Sequence, residues 1–119
     1  MRTAFAHDAV LTMEPDADVR APGASVTVAL CGHWQHDPPC PLAPHHTAAD
    51  RDGSEVRLRI LFATEPPLEA EVRARIDGAL AAGELLGPDG AGTRWTVLSS
   101  GPSDVGVDER RHAARLARG

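Results

Sequence analysis

The chain contains no lysine, no tyrosine and no asparagine, and all 12 of its basic residues are arginine. These absences exclude a Schiff-base or catalytic lysine, a P-loop lysine and a tyrosine acid or nucleophile. Aromatic residues are equally scarce, two Trp and two Phe in 119 residues. The hydrophobic share of 42% is diluted by 20 alanines. A buried methylene contributes about 0.8 kcal/mol, so an alanine-rich interior gains less per residue than a leucine-rich one. Small domains with thin cores often add a metal ion, a disulfide or a partner subunit.

The formal charge of −5 argues against a general nucleic-acid binder, which needs a concentrated basic face. The last residues, 109–118, form a short basic stretch with four Arg against one acid. No window approaches the roughly 20 apolar residues of a membrane span. The amino-terminal MRTAFAHDAVLTMEPD lacks a continuous apolar stretch of signal-peptide length. The expectation is a cytoplasmic protein, independent of membranes, in which thiols stay reduced. A thin core and exposed strand edges are compatible with a homodimer or a protein partner.

Hydropathy patterning points to an α+β domain of two layers, with three to four strands and one packed helix in the order β-β-β-α-β, followed by a short C-terminal helix. Residues 3–13 read as a strand with Phe5, Ala9, Leu11 and Met13 on one side. Residues 24–31 read as a second strand, with Val26, Val28 and Leu30 alternating, and a hairpin joins the two. The clearest strand is 55–64, where Val56, Leu58, Ile60 and Phe62 alternate with charged residues. A helix then opens at Pro66 or Pro67, capped by Thr64, and buries Leu68, Val72, Ile76, Ala79 and Leu80. Glu69–Arg73 and Glu71–Arg75 make i,i+4 pairs on its outside, and Gly83 closes it. A turn over 87–92 leads to a strand over 93–98, expected to pair in parallel with 55–64. Residues 1–102 form the domain on this reading, with an irregular loop over 32–54, and 103–119 form a linker and helical tail.

The chemistry is concentrated in CGHWQHDPPCPLAPHHT, residues 31–47. Both cysteines and four of the six histidines fall within 16 positions. Cys31, His33, His36, Cys40, His45 and His46 are six candidate ligands where a tetrahedral zinc site needs four. Thiolate and neutral imidazole suit zinc, with Ni2+, Co2+ or Cu+ as the other ions of similar taste. Pro38, Pro39, Pro41 and Pro44 bar a regular element here and stiffen the path between donors. Adjacent residues in extended chain point apart, so His45 and His46 do not share an ion. The preferred set is Cys31, His33, Cys40 and one of His45 or His46, with His36 as an alternative. Asp37, Asp50 and Asp52 can accept a ligand imidazole's other N–H.

The spacing matches neither paired CxxC motifs nor HExxH; ligand density is the signal. The plainer alternatives are a solvated proline-rich loop, or a Cys31–Cys40 disulfide in an oxidising compartment. His7 and His112 lie outside the cluster and read as ordinary histidines, on the surface or satisfied internally. None of the five serines sits in a GxSxG turn. The function expected is binding of a metal, zinc foremost, that orders the loop in a structural or regulatory role. A metalloenzyme with an open coordination position and a metal carrier or sensor are the alternatives.

Overall fold

The computed structural model describes residues 2–31, 43–86, 90 and 92–118, with Cys31 described in its backbone only. His33, Trp34, His36, Asp37 and Cys40 lie outside the described residues. The elements run β1 (Thr3–Thr12), α1 (Ala21–Cys31), β2 (His45–Asp52), β3 (Glu55–Thr64), α2 (Glu69–Ala81), β4 (Glu84–Leu86), β5 (Gly92–Arg94), β6 (Thr96–Ser103) and α3 (Arg110–Arg118). Short 3-10 turns, Pro66–Leu68 and Val107–Glu109, lead into α2 and α3.

The domain is α+β, as its patterning predicts. Four strands form one antiparallel sheet in the order β2-β3-β1-β6, and β4 and β5 form a separate two-stranded ribbon. With α1 and α2 as the crossovers, this is the split βαβ arrangement of ferredoxin-like domains. Strands β3 and β6 run in the same direction, but β1 lies between them and is antiparallel to both. The strand expected over 93–98 is thus divided between β5 and β6, and its expected parallel pairing with 55–64 is replaced by β1 lying between β3 and β6.

Residues 24–31 are helical, which corrects the expected strand and its hairpin with residues 3–13. Val26 and Leu30 are buried as an i,i+4 pair, with Ala21, Pro22 and Ser25 one turn earlier. Pro22 sits in the first turn, where a missing N–H costs no hydrogen bond. Asp18 accepts the Arg20 backbone N–H at 2.9 Å just before the helix begins. The β-branched residues Val26, Thr27 and Val28 favour strand locally, but packing against the sheet and α2 outweighs that preference.

Residues 45–52, expected within an irregular loop over 32–54, instead pair with β3 as an edge strand. A two-residue turn at Gly53 and Ser54 joins β2 to β3. Gly53 takes φ +64° there, a conformation that favours glycine at the first central position of a hairpin turn.

The core lies between the sheet and the α1/α2 layer. Leu11, Val56, Leu58, Ile60 and Phe62 meet Val26 and Leu30 of α1 and Val72, Ile76 and Leu80 of α2. Each fully buried aliphatic side chain of this kind contributes about 1.5–3 kcal/mol. Trp95 closes the end of this layer and donates its indole N–H to the Leu80 carbonyl at 2.8 Å. Leu68, expected inside, remains 38% exposed. Thr64 does not cap α2; its hydroxyl is buried without a hydrogen-bond partner.

The opposite face of the sheet is covered in part by α3, which contacts β3 and β1 and buries Ala113. Arg59 ties it down by bonding to Glu109 and to Asp8. Among the described residues no helix is long and apolar enough to cross a membrane.

Candidate functional site

Six residues were expected to ligate metal. Of these, Cys31, His45 and His46 belong to described elements, and His33, His36 and Cys40 lie outside them. Cys31 ends α1, and His45 and His46 begin β2. The segment that carries the remaining donors is therefore bounded by a helix end and a strand start.

Alternation along β2 separates the two adjacent histidines, as extended chain requires. His45 is opposite Phe62 and so shares the helix-facing side, whereas His46 is opposite Leu61 and faces the α3 side. Only His45 is on the side of α1.

Its ring is held from both ends. His45 Nδ1 lies 3.0 Å from the Ala43 carbonyl oxygen, and Nε2 lies 2.9 Å from Thr27 Oγ1. A carbonyl only accepts, so Nδ1 carries the proton. In the neutral ring Nε2 is then a lone pair, accepting from the Thr27 hydroxyl. An imidazole whose other nitrogen donates to a backbone carbonyl is in the tautomer that metal-ligating histidines use. Thr27 precedes Cys31 by four residues, one turn of α1. His45 is thus held one turn of helix from Cys31.

His46 meets a residue that sequence reasoning set aside. Its ring centroid lies 5.0 Å from that of His112 on α3, with the ring planes tilted by 58°. Asp50 and Asp52 share the His46 side of β2, four and six residues along. At about 3.3 Å per residue they are too far along the strand to accept from its ring. Among the described residues no group of three or more His, Cys, Asp or Glu is arranged to hold a metal ion.

A polar network around one buried histidine, unforeseen as a site, lies on the helix side of the sheet. His7 is only 1% exposed. Its Nε2 lies 3.1 Å from Asp77 Oδ1 and 3.0 Å from Ser100 Oγ. Its Nδ1 lies 3.0 Å from Arg73 Nη1, which also donates to the Ala6 carbonyl at 2.8 Å. A guanidinium only donates, so Nδ1 is the acceptor and Nε2 carries the proton. Ser100 in turn donates to Asp77 at 2.6 Å.

This geometry disqualifies a hydrolytic triad despite the residue types. A triad base receives the serine proton on Nε2, with the carboxylate at Nδ1. Here Nε2 is already protonated and Arg73 occupies Nδ1. Burial pushes the His7 pKa below its ordinary value, and Arg73 adds to that, while Asp77 opposes it. The network reads as a satisfied buried polar group. Its signal was present in the sequence, because His7 shares the parity of Phe5, Ala9 and Leu11 on β1.

A shallow groove of about 410 Å³ lies on the α3 side of the sheet, with Val10 and Ala48 among its lining residues. Asp8, Asp50, Arg57 and Arg59 rim it with charge of both signs. Comparison of the chain with protein-family models and with curated proteins finds no match.

Proposed function

We propose that this protein is a small metal-binding domain of the cytoplasm, zinc being the favoured ion, in which the ion orders the Cys/His-rich segment for a structural or regulatory role. One observation carries the reading: His45 is held in the ligand tautomer, one turn of α1 from Cys31, at the other boundary of that segment. On that ground we favour His45 over His46 as the histidine of the set. The ligand set is then Cys31, His33, Cys40 and His45, with His36 as the substitute donor.

Thiolate and imidazole in these numbers make a closed tetrahedral shell, the form that supplies folding free energy rather than an open position for substrate. The thin alanine-rich core supports the same role, since it has little surplus with which to order a proline-rich excursion. Binding releases the Thr27 hydrogen bond from Nε2 and leaves the Ala43 bond intact.

Elemental analysis of the purified chain beside its Cys40→Ser and His33→Ala variants tests the reading. The expected result is about one zinc per chain, reduced in both variants. Unchanged metal content in both would refute the ligand set.

A further inference from the structure

We infer that His46 and His112 form a two-histidine chelate for a borderline divalent transition ion, on the opposite face of the sheet from His45. The argument rests on geometry. Two imidazoles on one tetrahedral ion, with each nitrogen about 2.0–2.1 Å from the metal, place their ring centroids roughly 5 Å apart. The observed separation is 5.0 Å, between side chains on separate elements, β2 and α3.

Access favours the same reading. His46 is exposed and His112 is half-buried, so an ion can reach the pair without opening the core. Glu109, three residues before His112, is already engaged with Arg59 and with the Gly106 N–H. With no third donor grouped with the pair among the described residues, water completes the shell. The site is therefore exchangeable, and two imidazoles select zinc, nickel or copper over calcium or magnesium, which prefer oxygen.

The consequence is mechanical. α3 rests on β3 and β1, and a shared ion extends its hold to the edge strand β2. Occupancy of the site couples metal to the docking of the C-terminal helix. This inference does not rest on the reading of the Cys/His segment, from which it borrows only His46.

The test is a Ni2+ titration of the full chain, following each histidine ring by NMR. The paramagnetic ion should broaden the His46 and His112 signals together, at the same concentration. The same co-broadening is expected in a Cys40→Ser, His33→Ala double variant, which separates this pair from the other proposed site. His112→Ala should raise the Ni2+ concentration needed to broaden His46 by tenfold or more, with the backbone spectrum retained. Three results overturn the inference: the two rings responding at different concentrations, loss of the response in the double variant, or a His112→Ala variant in which His46 broadens as before.

Discussion

Arg73 donates to Nδ1 of His7 across 3.0 Å, and that single contact determines the tautomer of the only histidine in the described core. It comes from α2 into β1, so it also joins the helix layer to the sheet. The same guanidinium lies over Phe62, 5.2 Å from the ring centroid, and bonds to Glu69 at 2.8 Å.

Protonating His7 removes the acceptor that Arg73 needs and sets two cations against each other. The folded state holds the His7 pKa below its ordinary 6.5, chiefly through burial. Between that lowered value and 6.5 the unfolded chain binds more protons, so this contribution to stability is complete above 6.5. It is lost as pH falls through the folded value, with a slope of at most about 1.4 kcal/mol per pH unit for one proton. Urea denaturation across a pH series should show this decline. His7→Leu should flatten it, at the cost of one hydrogen bond to each of Asp77 and Arg73.

The carboxylate of Glu109 is held down at about 2 by the Arg59 guanidinium and then by the Gly106 N–H. A lowered carboxylate contributes stability that is present above its unfolded value and disappears as pH falls toward about 2. Attachment of α3 should therefore survive mild acid. Glu109→Gln should loosen the helix at neutral pH instead, seen as faster hydrogen exchange over residues 110–118 with little change in the core strands.

Gly83 takes φ +68° after α2, and a Cβ there would meet the Trp95 carbonyl oxygen at 2.9 Å. Both the backbone conformation and the close approach oppose a side chain. Gly83→Ala should destabilise the fold by about 1–3 kcal/mol, measured by chemical denaturation. Gly78→Ala, at a helical position with nothing near the added carbon, should be neutral or stabilising by about 0.5–1 kcal/mol.

How far the fold could be read from residues alone depends on where each element's stabilisation comes from. β3 and α2 were legible because Val56–Phe62 and Val72–Leu80 carry strong periods set by a half-buried face. α1 imitates a strand in its letters because Val26, Val28 and Leu30 alternate, while the i,i+4 pair Val26–Leu30 lies within the same run. The start signals were Asp18 and Pro22. β2 was invisible because HHTAADRD has no apolar alternation; it is held by its backbone ladder to β3, a property of the partner strand. The candidate site was half legible: the ligand-rich segment shows in the composition, but the pairing of His46 with His112 spans 66 residues and needs the fold.

The Thr27 hydroxyl now occupies the His45 lone pair that a metal ion would take. Thr27→Val removes that competitor without touching a ligand. Zinc affinity, measured by competition with a chromophoric chelator, should be retained or increased, whereas a structural need for the Thr27 bond in holding the ion would lower it.

The most direct test of the central claim compares zinc per chain, by elemental mass spectrometry, in the purified protein and in its His45→Ala and His46→Ala variants after exhaustive dialysis. The account predicts about one tightly held ion in the wild type and in His46→Ala, and loss of that ion in His45→Ala. Zinc absent from the wild type, or held equally by His45→Ala, would contradict it.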